Sequence, residues 1–231
     1  HIGIHSAKDV PGELDKKLSI GAYLNREDVR DVLITRKPSI KKLTHLPKNS
    51  TLGTSSPRRI AYIKLLRPDL KIIQLRGNIE TRIDKVYKGK VYAILLAKAG
   101  LNRLKKFKYD FNFFAIPLSQ ILPAPGQGAV AVMYKKENLF IKRICSKINC
   151  KNTYISLNTE RSLIKQMNGD CFTPIGALAK VKKNSIMLKA RLFSDDAKFF
   201  VDDIKIGPIK SANSLGKKCA DNLLKKLKAI E

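Results

Sequence analysis

Between Thr51 and Leu104 the chain passes three times from a strand-like run into a helix-like one, and this alternation restricts the fold more than any other feature. Thr51-Leu52-Gly53-Thr54 reads as a strand, and Ser56-Pro57 opens a helix with serine as N-cap and proline at the first helical position. Ile60, Ala61, Leu65 and Leu66 are the expected buried face of that helix. Lys71–Leu75 is the second strand, and Gly77-Asn78 turns into a helix with Ile79, Ile83 and Val86 at helical spacing. Val91–Ala97 is a third, apolar strand, followed by Ala99–Leu104. Strands and helices alternating at this spacing predict an α/β unit with a largely parallel sheet.

Basic residues fall at equivalent points of these units. Ser56, Arg58 and Arg59 open the first helix, Arg76 ends the second strand, and Arg82 lies near the start of the next helix. Lys98 and Arg103 follow the third strand. In open α/β sheets the carboxyl ends of strands face one crevice, where helix amino termini also present free N–H groups. Arginines gathered there suit an anion with several carboxylates, because guanidinium grips carboxylate through two parallel hydrogen bonds.

Ahead of this unit, Ile2 and Ile4 close an alternating run that ends in His5-Ser6-Ala7-Lys8-Asp9-Val10-Pro11. The residue before a proline is driven to extended geometry, so this stretch leaves its strand as a turn bearing a hydroxyl, a cation and a carboxylate. Leu18–Leu24 and Val32–Thr35 read as strands, and the charged run Arg26–Asp31 between them as a crossing between domains. Ser39–Leu46 has weak helical character. Beyond it, Pro117–Pro125 is a proline-spaced linker, Ala129–Met133 a strand and Lys136–Ile148 a charged helix. The remainder reads as a helix over Tyr154–Met167, a turn over Asn168–Thr173, and strands near Ile175–Val181, Ile186–Phe193 and Phe199–Ile206. A last amphipathic helix carries Leu215, Cys219, Leu223, Leu227 and Ile230 on one side.

Composition narrows the partners. At 231 residues and 44% hydrophobic content the chain has material for two or three packed domains. No apolar run reaches the length of a membrane span and no signal peptide opens the sequence, so the expectation is a cytoplasmic protein without membrane partners. The net charge of +27 raises nucleic acid as a partner. Its lysines, however, are scattered as short pairs with no stripe, no zinc module and no stacking aromatics, which reads as solvated surface and not as a nucleic-acid site. Cys145, Cys150, Cys171 and Cys219 lack metal-ligand spacing, so no metal is expected, and without a secretory signal no disulfide is expected either.

Five blocks occur in one order: His-Ser-x-Lys-Asp-Val-Pro at His5–Pro11, Gly-Thr-Ser-Ser-x-Arg-Arg at Gly53–Arg59, and Leu-Arg-Gly-Asn with Thr-Arg at Leu75–Arg82. Ala-Pro-Gly-Gln-Gly at Ala124–Gly128 and Gly-x-Cys followed by Pro-Ile-Gly at Gly169–Gly176 complete them. Together they resemble the porphobilinogen deaminase (hydroxymethylbilane synthase) family. The resemblance implies two periplasmic-binding-protein-like α/β domains plus a small α+β C-terminal domain with a three-stranded sheet. Domain 1 corresponds to residues 1–26 and 126–148, domain 2 to 31–121 and domain 3 to 151–231.

The implied activity joins four porphobilinogen molecules head to tail on a covalent dipyrromethane, releasing ammonia each time and then hydroxymethylbilane. The dipyrromethane is held by a thioether to Cys171. By the same resemblance Ser6, Lys8, Asp9, Ser56, Arg58, Arg59 and Arg76 hold the cofactor, while Arg76, Arg82, Arg103 and Gln127 meet substrate. Asp9 is the implied catalytic group, stabilising the cation left when ammonia departs. The partner is the small-molecule substrate, and a monomer is expected.

Two departures from the family pattern stand out. Asp170 occupies the second position of Gly-Gly-Cys, where a carboxylate would raise the thiol pKa. The family also begins some tens of residues earlier, so the first domain is expected to be incomplete and this polypeptide alone to aggregate or turn over slowly. The competing expectation is an inactive truncated homologue or a non-catalytic anion-binding protein.

Overall fold

The computed structural model describes residues 2–104, 111–168 and 173–230. In chain order the elements are β1 (Ile2–Ser6), β2 (Leu18–Tyr23), β3 (Asp31–Thr35), β4 (Thr51–Gly53), α1 (Pro57–Leu66), β5 (Lys71–Ile73), α2 (Ile79–Tyr87) and β6 (Ala93–Ala97). There follow α3 (Lys98–Asn102), β7 (Asn112–Ala115), β8 (Val130–Lys135), α4 (Leu139–Ile148) and α5 (Lys151–Gln166). The chain ends with β9 (Ile175–Lys182), β10 (Ser185–Phe193), β11 (Phe200–Pro208) and α6 (Ala212–Lys228).

These strands form three sheets. The first, in the order β1-β8-β2, is antiparallel and joins segments far apart in sequence, pairing Ile4 with Val132 and Ile20 with Met133. Its covering helix α4 starts at Leu139, three residues later than the charge pattern suggests, because the Asn138 side chain caps it by accepting from the Ile141 N–H. The second sheet has the order β5-β4-β6-β3-β7 and is mixed. Its β4 runs parallel to β5 and β6, whereas β3 runs antiparallel to β6 and β7. Parallel pairing, expected from sequence for most of the sheet, is therefore confined to β5-β4-β6: β3, by which the chain enters the unit, runs against the other strands, and β7, antiparallel to β3, points the same way as β4, β5 and β6. The third sheet, β11-β10-β9, is an antiparallel meander covered by α5 and α6.

The face of α1 also differs from its pattern. Leu65 and Leu66 are exposed, while Arg58, Arg59, Ala61, Tyr62 and Ile63 are buried. The two arginines are drawn inward by a buried carboxylate, and that rotates the helix about its axis. In α6, Leu215, Cys219 and Leu223 are buried as the pattern predicts, but Ile230 lies beyond the helix and is exposed.

The units are locked together through shared cores. Phe193 of β10 joins the core of the second sheet, edge-on to Tyr62 with ring centroids 4.8 Å apart. Such a pair contributes about 0.5–1.5 kcal/mol beyond its burial. A β-carbon at Gly176 would fall 2.8 Å from both the Tyr62 hydroxyl and the Leu122 β-carbon, so the close approach of β9 to α1 needs glycine there.

Polar connections are made by Glu160 of α5, which has no solvent access. It accepts from Arg26 Nη1 at 2.7 Å and Nη2 at 3.0 Å, from the Gly126 N–H at 2.7 Å and from the Ala179 N–H at 2.8 Å. One carboxylate thus ties the end of the first sheet, the 124–128 loop, β9 and α5. Among the described residues no helix is long and apolar enough to cross a membrane.

Removing a partner from a buried pair leaves an uncompensated charge. Glu160→Ala is expected to cost about 3–5 kcal/mol of unfolding free energy in urea titrations. Glu137→Ala, on an exposed turn, should stay within about 0.5 kcal/mol.

Candidate active site

A cavity of about 610 Å³ opens where the end of β1, the start of α1, the 124–127 loop and α5 meet. β1 ends in a single 3-10 turn over Ala7–Asp9, followed by Val10 in extended geometry, as a residue before proline must be. The Ala7 N–H donates to the Ala129 carbonyl at 2.9 Å, which fixes the turn to the base of β8. Gly126 presses against it with φ +78°, and a β-carbon there would stand 2.8 Å from the Ala7 carbonyl carbon and the Lys8 nitrogen. Only glycine permits that contact. Lys8 and Asp9 both line the cavity.

The opposite segment is the capped start of α1. Ser56 accepts from the Arg59 N–H at 3.5 Å, and Arg58 and Arg59 are nearly sealed from solvent. Both bind Asp31, the first residue of β3. Arg58 Nη1 donates to Asp31 Oδ2 at 2.8 Å and to the Leu122 carbonyl at 2.7 Å. Arg59 donates to Asp31 Oδ1 from Nε at 3.1 Å and Nη2 at 2.7 Å, and from Nη1 to the Leu95 carbonyl at 3.0 Å. Gln127 Nε2 donates to the same Asp31 oxygen at 3.0 Å and to the Val29 carbonyl at 2.7 Å. Burial works to raise the Asp31 pKa, but the charges of Arg58 and Arg59 overcome it and hold the carboxyl well below the usual range.

Three buried polar atoms on the cavity residues have no partner among the described residues: Arg58 Nε, Gln127 Oε1 and the Tyr23 hydroxyl. A donor, an acceptor and a hydroxyl left unsatisfied beside one cavity are what a polar ligand would complete. Lys8 is pushed down to about 8, by burial first and then by Arg59, with Asp9 and Asp31 pulling the other way. Asp9 is exposed and makes no hydrogen bond or ion pair among the described residues.

Of the residues singled out by sequence, Lys8, Asp9, Ser56, Arg58, Arg59, Arg82 and Gln127 come together in this cavity. Ser6, at the end of β1, is half-buried and outside the lining. Arg76, just past the sheet-edge strand β5, and Arg103, at the end of α3, are exposed and also outside it. Cys171 lies outside the described residues. Three residues that shape the site are not among those candidates: Tyr23 and Arg161, which line the cavity, and Asp31, which lies outside its lining but holds Arg58 and Arg59. Asp31 carries a signal, since a carboxylate opening the run Val32-Leu33-Ile34 enters a core and needs a cationic partner there. Tyr23 and Arg161 carry none, being ordinary members of an apolar strand and a charged helix.

Two family models match the chain: porphobilinogen deaminase, dipyromethane cofactor binding domain, over residues 1–143, and porphobilinogen deaminase, C-terminal domain, over residues 154–225. The porphobilinogen deaminase of Orientia tsutsugamushi is 39% identical over 229 residues, covering 98% of this chain and 75% of that protein. Those of Clostridium novyi (34% identical, 98% and 75% covered) and Rickettsia prowazekii (37%, 96% and 74%) align similarly. Among solved structures, the periplasmic VFT2 domain of Bordetella pertussis BvgS is similar over 57% of this chain and 54% of its own, with 18% identity and a TM-score of 0.38.

The low Lys8 value gives the cavity a pH signature. An anion bound beside Lys8 favours its protonated form, so anion binding takes up as much as one proton above pH 8. Affinity for a dicarboxylate probe such as succinate should be flat below about pH 7 and fall by up to about tenfold per unit above 8. Lys8→Gln should remove that slope in calorimetric titrations; an unchanged slope would contradict it. In the free protein the sign is opposite. The unfolded lysine, near 10.4, binds more protons than the folded one above pH 8, so this group's contribution to stability rises with pH between those values.

Proposed function

The chain belongs to the porphobilinogen deaminase family, a transferase family of tetrapyrrole biosynthesis whose members carry a dipyrromethane cofactor, and from that membership we propose how its residues divide the work. The single observation that carries the reading is a carboxylate, Asp9, standing free of any described partner in a cavity otherwise furnished with Lys8, Arg58, Arg59 and Arg82. A non-catalytic anion-binding protein would gain nothing from it, because a free carboxylate repels the ligand.

The donor set fits a pyrrole chain bearing acetate and propionate arms. Lys8, Ser56, Arg58 and Arg59 bind the arms of the cofactor, and Arg82 and Gln127 those of incoming substrate. Ser6, Arg76 and Arg103, outside the cavity lining, serve the chain as it lengthens. Cys171 is the thioether anchor. When bound, the dipyrromethane supplies the pyrrole carbon to which the first porphobilinogen is joined. Each condensation adds two carboxylates to a chain that stays in place, and charge-assisted hydrogen bonds from arginine are the strong way to hold them.

Asp9 acts where positive charge develops. Loss of ammonia from porphobilinogen leaves an electron-poor pyrrole, and a fixed carboxylate beside it lowers the barrier by stabilising that cation. Asp9 also accepts hydrogen bonds from pyrrole N–H groups and takes up the proton released as the carbon–carbon bond forms. We assign residues 1–26 and 126–148 to one domain, 31–121 to a second and 151–231 to a third, the first two being periplasmic-binding-protein-like, in a cytoplasmic monomer. The discontinuous first sheet, the five-stranded second and the three-stranded third support that division.

Asp9→Asn should lower kcat by about 100-fold or more while leaving the thermal midpoint nearly unchanged, since the side chain is exposed and unpaired. Steady-state turnover of porphobilinogen measures this, and a wild-type rate would refute the assignment.

A further inference from the structure

We propose that Arg161 is a positioning residue that fixes the turn bearing Asp9 to helix α5. The proposal rests on the reading of Asp9 as the catalytic carboxylate. Arg161 Nη1 donates to the Val10 carbonyl at 3.3 Å, and Nη2 donates to the carbonyls of Pro11 at 2.7 Å and Gly12 at 3.0 Å. These three consecutive carbonyls immediately follow Asp9 and lie about 150 residues from the guanidinium that gathers them. Bonds with a charged donor are roughly twice as strong as neutral ones, and a planar fork spends little entropy in making several.

The other side of the turn is held by the neighbouring residue of the same helix. Glu160 Oε2 accepts from the Gly126 N–H at 2.7 Å, and Gly126 packs directly on the Ala7–Lys8 peptide. Residues 160 and 161 therefore grip the Ala7–Gly12 segment from both sides. Asp9 needs that grip more than most catalytic groups do. Its carboxylate has no described partner of its own, so only the backbone on either side decides where it stands. A displacement of an ångström at a reacting group is enough for a large loss of rate.

Arg161 also lines the cavity, and a direct contact with substrate carboxylates is the rival role. The two separate kinetically. A positioning residue acts on the chemical step and so on kcat, whereas a carboxylate contact acts on KM.

The test uses the full-length enzyme with R161Q, R161K, D9N and the D9N/R161Q double variant. In R161Q, kcat should fall about tenfold to 100-fold with KM within about twofold. Backbone amides of residues 8–14 should exchange faster, and the covalent pyrrole content should match wild type. R161K, which keeps the charge but loses the fork, should lie between the two and covers the case in which R161Q folds poorly. The double variant should be no slower than D9N alone, because Arg161 works through Asp9. Unchanged kcat in R161Q, a raised KM with unchanged kcat, loss of the covalent pyrrole, or additive losses in the double variant would each overturn the proposal. Full turnover in D9N would instead remove the Asp9 reading itself, and the proposal with it.

Discussion

A carboxylate shut away from water between two guanidinium groups makes the cavity wall possible. Arg58 and Arg59 are adjacent, buried and both cationic, an arrangement that desolvation and mutual repulsion oppose. Asp31 accepts from each of them and from Gln127, so the repulsion is offset and the planes of both forks are set. Because Asp31 starts β3, Arg58 and Arg59 start α1 and Gln127 sits in the 124–128 loop, the same bonds fix three segments around one point. The wall is therefore organised before any ligand arrives, which is what electrostatic stabilisation in an enzyme requires.

Glu160 repeats the device one layer away. Its four acceptor contacts bind Arg26, the 124–128 loop and β9 to α5, so that helix becomes the spine to which the other units are fastened. The turn with Lys8 and Asp9 is fastened to the same helix through Arg161. Lys8 is held near the edge of losing its proton, and Asp9 is held by backbone alone. A cationic wall facing a lysine and an unpaired carboxylate suits a ligand whose own charge grows by steps while it stays bound.

Local features of this organisation were legible in the residues. Ser56-Pro57 and Asn78 announced their helices and cap them as expected, and the three strands of the last sheet follow their alternation closely. The motif blocks brought together Lys8, Asp9, Arg58, Arg59, Arg82 and Gln127. What could not be read were bonds between distant segments. Nothing in the pattern around Leu65 and Leu66 indicates that Asp31, 27 residues before Arg58, turns that helix away from them. Nor does a charged helix reveal that its Arg161 closes over carbonyls near the other end of the chain. The short strand β7 has no signature in the residues, because four positions, two of them exposed, give no period to recognise.

Intact mass spectrometry distinguishes a growing pyrrole chain covalently tied to Cys171, as proposed, from a protein that binds its ligands reversibly. The full-length protein, given a limiting amount of porphobilinogen, should show a dipyrromethane increment and above it a ladder of further pyrrole units, all absent from Cys171→Ser. A single species at the mass of the bare polypeptide, or a ladder that survives in Cys171→Ser, would contradict it.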